Sequence, residues 1–446
     1  MKKYPLALIV LLCVNAVYAQ RALTLAESKR LALQNNGLLK NSALETEAAE
    51  QVRQAAFTRY FPTISASGFR FDAQKYLMET TTEGGNLPVY DGNPANLATA
   101  SQFAYFPSTT TGLLKSGTTG MINVVQPIYA GGRIVNGNKL ASLGLDASEY
   151  QTRLSRNDVL LKTEEQYWLI VSLDEKLRTI QKYESFLDSL LRRVEDAYAS
   201  GFVMKNDVLK VKLKRSEVLV NKSKAEYGRQ LAAMAFCQHI GIAYDPAIVL
   251  RDSLTFDVPP MAARVDAAEA VKTRPEYKLL QTSVRAEELQ TRLKLGEYLP
   301  QLALGVGGLY MKTDAAPGRT IGIVYGTVSI PISGWWEASH ALSERRIKEQ
   351  IAKNSLETNS EYLLLQMEKA WQDLMDAHQQ VLLSQDVKAQ AEENLKVNQD
   401  GYDNGLIVVS DLLEAQALLQ QANDRWTDAM AGYRTKRVYY LQATGR

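Results

Sequence analysis

Hydrophobic residues recur along most of this chain with a helical period. Leu173, Leu177, Ile180, Leu187, Leu191, Val194 and Tyr198 step by four and three, broken only at Glu184. Leu412, Ala415, Leu419, Ala422, Trp426, Ala429 and Tyr433 step by three and four, with alanine at every seventh position, where a neighbouring helix could approach closely. Such spacing predicts coiled-coil seams. Helices are expected over about 25–60, 134–200, 206–240, 267–298, 337–404 and 410–444, with Thr24 as N-cap of the first. Between them the period changes to two. Leu302, Leu304, Val306 and Tyr310 alternate with mostly small residues. Weaker alternation elsewhere completes four expected strands, at about 62–72, 118–128, 300–311 and 321–332.

These elements form two copies of one unit. At an offset of 238, Tyr60-Phe61-Pro62 matches Tyr298-Leu299-Pro300, and Gly37, Lys40 and Ala48 match Pro275, Lys278 and Ala286. At an offset of 204, Pro127, Ile128, Tyr198, Gly201, Asp207 and Gly241 match Pro331, Ile332, Tyr402, Gly405, Asp411 and Gly445 without a gap. So many proline, glycine and tyrosine matches argue for duplication. The first repeat spans 20–241, a linker 242–264, and the second repeat 265–446. The offset drops because the first repeat carries extra residues between its strands, in a Gly-, Asn-, Thr- and Pro-rich stretch over 73–117 that reads as a long outer loop. Its counterpart, 312–319, is short.

Length turns this order into an architecture. Helices of roughly 67 residues span on the order of 100 Å, and those of about 35 residues half of that, so the first and last helices of each repeat could stack end to end beside the long one. Pro62, Pro127, Pro300 and Pro331 are expected where helix becomes strand and the chain changes course. Four strands cannot close a barrel, and an open sheet in lipid leaves backbone groups unpaired. Three chains would supply about twelve strands, enough to enclose a channel. Trp335-Trp336 beside Pro331 suits either an interfacial aromatic belt or a shielded packing pair.

Composition narrows the function classes. Lys2-Lys3, the apolar run Leu6–Val14 and Val17-Tyr18-Ala19 form a signal peptide over 1–19, so the chain is expected to be exported. Of 51 Lys+Arg residues two lie in that leader, which leaves 49 against 49 acidic residues in the remainder. A near-zero balance excludes a generally basic nucleic-acid binder. Past the leader no apolar run is long enough for a membrane helix, which leaves a membrane β-barrel open. Three scattered histidines and one cysteine beyond the leader give no metal-ligand spacing and no internal disulfide. No phosphate loop, HExxH or nucleophile motif is present, so neither catalysis nor a cofactor is expected.

Five segments now resemble the TolC-like outer membrane factor family, the exit ducts of Gram-negative efflux pumps and type I secretion. They are LTLAESKRLALQNN (Leu23–Asn36), RYFPTISASG (Arg59–Gly68), QPIYAGGR (Gln126–Arg133), YASGFVMKNDVLK (Tyr198–Lys210) and GYDNGLIVVSDLLEAQ (Gly401–Gln416). The resemblance implies a homotrimer, with a twelve-stranded β-barrel in outer-membrane lipid above a periplasmic barrel of long antiparallel helices. It also implies a periplasmic adaptor as direct partner and an inner-membrane transporter as indirect one, in a system of the kind that confers multidrug resistance.

The resemblance further places an acidic gate ring on Asp411 and Glu414, and gate-holding polar links on Tyr402, Asp207 and Asn206. A ring of carboxylates narrows a pore and attracts cations. The basic partner of such links falls on Ile407, which cannot make them. Helix capping is the competing reading of Asp411, and first-turn acidity that of Glu414. The turns at Gly201-Phe202 and Gly405-Leu406 would meet the adaptor, or hold a buried staple residue. The alternative function is an exported coiled-coil rod that binds partners without a channel. The cargo is not written in the sequence.

Overall fold

The computed structural model describes residues 22–255 and 259–446. The expected leader lies outside the described residues, as does a short part of the linker. Along the chain the elements are β1 (Ala22–Leu23), α1 (Leu25–Asn35), α2 (Gly37–Phe57), β2 (Thr63–Asp72), β3 (Glu79–Thr82), β4 (Gly85–Pro88), β5 (Phe103–Phe106), β6 (Thr109–Gly112) and β7 (Ser116–Ala130). They continue as α3 (Arg133–Ala199), α4 (Lys205–Ile240), β8 (Val249–Leu250), α5 (Ala267–Ala270), α6 (Pro275–Glu297), β9 (Gln301–Thr313), β10 (Arg319–Ser329), α7 (Trp335–Asp403) and α8 (Val409–Ala443). The chain divides into two units. One comprises residues up to 50, 143–285 and 350–446, the other 51–142 and 286–349.

Two expected helices are broken, and both at the same place in the repeat. Asn36 leaves the helical conformation (φ −60°, ψ 128°), and its Oδ1 caps α2 by accepting from the Leu38 N–H at 2.9 Å. Arg274 does likewise (φ −67°, ψ 137°), because the following Pro275 disfavours a helical predecessor and then starts α6. Each break lies against a glycine that ends the repeat. A Cβ on Gly241 would lie 2.4 Å from the Asn35 side chain, and one on Gly445 3.0 Å from Thr273 Oγ1. Both glycines hold φ near +70° (70° and 77°), so the duplication extends to backbone conformation.

The first helix opens with a complete capping box. Thr24 Oγ1 accepts from the Glu27 N–H at 3.2 Å, and Glu27 Oε2 accepts from the Thr24 N–H at 2.9 Å. The hydrogen bond from the Thr24 backbone, then that from its side chain, hold the Glu27 carboxyl below its ordinary pKa. Its contribution is therefore complete above the usual carboxylate range and is lost as pH falls through the depressed value. Protection of the amides at the start of α1, measured as exchange relative to the intrinsic rate at each pH, is expected to fall on acidification through that window. Glu27→Ala should show low protection throughout, with no step.

The helical unit has two apolar cores. One gathers Tyr167, Ile170, Phe236, Met367, Trp371 and Tyr433, closed over by the linker. Tyr167 donates to Asp252 Oδ2 at 2.7 Å, which also accepts from the Leu25 N–H at 2.7 Å. Burial, then this carboxylate, push the Tyr167 phenol above its ordinary pKa. The second core packs Ile180, Tyr183, Leu187, Leu190 and Val194 of α3 against Val208, Val211, Leu412 and Leu413. The seam of α3 thus runs through Tyr183 and Leu190. Glu184 does not interrupt it, Leu191 is only partly buried, and Tyr198 is exposed.

In the other unit the four expected strands form one antiparallel sheet, ordered β10-β9-β7-β2. Ile64, Val124, Val306 and Val324 pair directly across it and form one aliphatic row. The adjacent row, Ser65, Asn123, Gly307 and Ile323, points to the opposite face, where the Tyr325 hydroxyl donates to Asn123 Oδ1 at 2.7 Å. β2 and β10 are the sheet's two edges.

Pro62 and Pro300 immediately precede β2 and β9, as expected of junctions. Pro331 follows β10, which stops at Ser329 instead of reaching Ile332; Ile332–Gly334 is a short 3₁₀ turn. Pro127 departs from expectation, for it lies inside β7. The register shifts between Pro127 and Tyr129, a bulge that suits a residue with no N–H to give the ladder. Of the tryptophan pair, Trp335 donates to the Tyr298 carbonyl at 2.9 Å, while Trp336 is 81% exposed.

The stretch over 73–117 is a ribbon. β3 pairs with β6, and β4 with β5 nested inside it. At its base Asp314, from the β9–β10 turn, accepts from the Lys115 and Ser116 N–H groups at 3.1 and 3.3 Å.

Candidate functional site

The helices of the second core end in two matched turns. α3 reverses into α4 through Gly201 (φ 79°), and α7 into α8 through Gly405 (φ 72°). A left-handed residue closes each helix, with Phe202 N–H bonding back to the Ala197 carbonyl and Leu406 N–H to that of Gly401. The residues after the glycines are not staples. Phe202 is 85% and Leu406 79% exposed, and Met204 and Val408 follow them on the surface. Ile407 instead packs against Gly401, where an added Cβ would lie 3.4 Å away.

Asp207 and Asp411 occupy matching positions but are used differently. Asp207 Oδ2 accepts from the Met204 N–H at 3.4 Å, and Oδ1 lies 3.4 Å from Lys210 Nζ. It is the first-turn cap of α4. Asp411 has no such role: among the described residues no hydrogen bond joins its carboxylate to the Val408 N–H, the counterpart of Met204. Among the described residues neither Asp411 nor Glu414 makes a side-chain hydrogen bond or an ion pair, and both are exposed, while Leu412, Leu413, Ala415 and Gln416 beside them are buried. The two acids therefore share the solvent face of α8 as free carboxylates.

Tyr402 is half-buried beside the same core. Burial raises its phenol pKa; the nearby Arg193 opposes that rise, and Asp207 adds to it. Arg193 lies over the Tyr402 ring at 5.9 Å and pairs with Asp403 at 2.8 Å. The tip thus brings Tyr402, Asp207 and a basic group together within one chain, while Asn206 is exposed and has no side-chain hydrogen bond among the described residues. Arg193 was not legible as part of this cluster, since its repeat partner is Val397 and nothing in its own spacing marks it.

No metal-ligand cluster occurs among the described residues, and no described helix is long and apolar enough to cross a membrane. Residues 29–241 match the family model of the outer membrane efflux proteins. Over this stretch, just under half of the chain, it is similar to that family. The match ends at Gly241, the left-handed glycine that closes the first repeat. No curated protein matches the chain by sequence.

Solved structures extend the likeness over both repeats. The CmeC outer membrane channel of Campylobacter jejuni superposes with a TM-score of 0.75 at 16% identity, over 94% of this chain and 85% of that one. VceC of Vibrio cholerae gives 0.72 at 14%, over 94% and 96%. The open-state MtrE channel of Neisseria gonorrhoeae gives 0.74 at 13%, over 94% and 88%. At such identities the shared property is the fold.

Proposed function

We propose that this protein is the outer-membrane exit duct of a tripartite efflux or type I secretion system, conducting substrate passively across periplasm and outer membrane. The observation that carries the reading is the row Ile64-Val124-Val306-Val324, with Val324 itself 81% exposed, on a sheet whose two outermost strands lack neighbours within the chain. An aliphatic row left in the open suits lipid, and strands of this length with open edges are a liability unless another chain pairs with them.

The helical unit supports the same conclusion. Leu213, Val220, Tyr227 and Leu231 stand exposed along α4, and Leu383, Val387 and Val397 along α7. α4 bonds to α3 through Arg215–Asp188 and Lys222–Glu184, and α7 to α8 through Asp373–Lys436. The protomer therefore has two different uncovered helix edges, each apolar. Such edges join head to tail and close as a ring, here a homotrimer sharing twelve strands. A solitary rod would leave both edges wet.

In that ring Asp411 and Glu414 form the periplasmic gate, with Tyr402, Asp207 and Asn206 holding it closed. The exposed turns at Gly201-Phe202 and Gly405-Leu406 receive the apolar hairpin of a periplasmic adaptor, whose contacts bias opening. The transporter that supplies energy is reached through that adaptor. The test is single-channel recording in planar bilayers. Asp411→Ala with Glu414→Ala is expected to raise conductance and reduce preference for cations. A channel with unaltered conductance and selectivity would remove both residues from the gate, and absence of any channel would refute the duct.

A further inference from the structure

The helical unit carries a cleft of about 350 Å³ between α1, α3 and α8, well away from the tip. Its floor is apolar, formed by Leu160, Leu161 and Leu441 among others, and its rim is basic. Lys29 is committed to an ion pair with Glu164. Arg434 donates to Thr255 and lies over the Trp168 ring at 5.4 Å. Arg437 is different. It is half-buried, and among the described residues its guanidinium has no hydrogen bond or ion pair. After burial, its charge is the second cause that pulls the Lys29 ammonium below its ordinary pKa. The cleft therefore holds more positive charge than Glu164 offsets.

A second donor there also lacks an acceptor. Trp168 lines the cleft, its side chain is only 5% exposed, and its indole Nε1 is buried with no hydrogen-bond partner. An unsatisfied buried donor is destabilising, and an acceptor would relieve it. A guanidinium is the side chain best shaped to take an oxyanion in two parallel hydrogen bonds.

We propose that this cleft binds a small amphipathic oxyanion, a carboxylate or a phosphate monoester with a short apolar tail. Arg437 holds the head group, Trp168 Nε1 supplies a further donor, and the leucine floor takes the tail. The site owes nothing to the conduction reading and stands or falls apart from it.

The test uses the full-length protein in detergent, labelled with fluorotryptophan, the Trp168 resonance being assigned by its loss in Trp168→Phe. Hexanoate, hexyl phosphate, hexanol and hexylammonium are titrated separately. The expected result is a saturable shift of that resonance with hexanoate or hexyl phosphate, the tighter of the two identifying the head group, and none with hexanol or hexylammonium. Arg437→Gln should weaken that binding on the order of tenfold or more, and Arg437→Lys by less, with thermal unfolding of both variants unchanged. The proposal is overturned by the absence of a saturable shift with either anion, by hexanol acting as well as they do, or by Arg437→Gln titrating like the parent.

Discussion

A chain carrying Leu213→Asp and Leu231→Asp is expected to elute as a monomer in detergent, and the parent as the proposed trimer. Both leucines are exposed on α4 of the single chain, at 64% and 67%, so the substitutions disturb nothing within the protomer. At an interface each leucine contributes about 1.5–3 kcal/mol of burial. Its replacement also brings an unpaired carboxylate into an apolar seam, a penalty of about 3–5 kcal/mol in buried settings. The two changes recur at every junction of the proposed ring, so their penalties accumulate around it. Light scattering coupled to size exclusion reads the outcome, and retained far-UV helicity confirms that the protomer is intact. A doubly substituted chain that remains trimeric would mean that the α4 edge faces solvent, and the assembly proposed here would be wrong.

The second large effect concerns two adjacent glycines where β7 turns into α3. Gly131 (φ 62°) and Gly132 (φ 75°) both occupy the left-handed region, which costs an L-residue roughly 1–2 kcal/mol. Only Gly131 is also in backbone contact: a Cβ there would lie 2.2 Å from the Gly296 carbonyl oxygen, whereas one on Gly132 meets only the Asn136 side chain at 3.4 Å. Backbone cannot retreat as a side chain can, so overpacking adds about 1–3 kcal/mol for Gly131→Ala. That variant should lose about 2–5 kcal/mol, and Gly132→Ala about 1–2 kcal/mol. Urea unfolding monitored by tryptophan fluorescence compares the two. Equal losses would show that the close approach to Gly296 carries no energy.

Much of this fold could be read from the sequence because its elements are long and written twice. A seam sustained along α3 leaves no competitor to a helix, and the matched prolines and glycines place the strands and reversals to within a few residues. Elements set by distant partners were not readable. β3 and β6 place Thr80, Thr81 and Thr82 opposite Thr111, Thr110 and Thr109, so neither face is apolar and no alternation exists to detect. The break at Asn36 is decided by its donation to the His239 carbonyl, on another helix. Within the tip, repetition made Asp207 and Asp411 look alike. What separates them is a single hydrogen bond: Asp207 takes the Met204 N–H, whereas Asp411 makes no bond to the matching Val408 N–H.

The clamp by which Asp314 binds the Lys115 and Ser116 amides seals the rim of the sheet below the threonine-rich ribbon. Register underneath is thereby fixed without help from anything above. The ribbon is therefore expected to tolerate trimming, exchange or lengthening, which makes it a natural seat for an epitope tag.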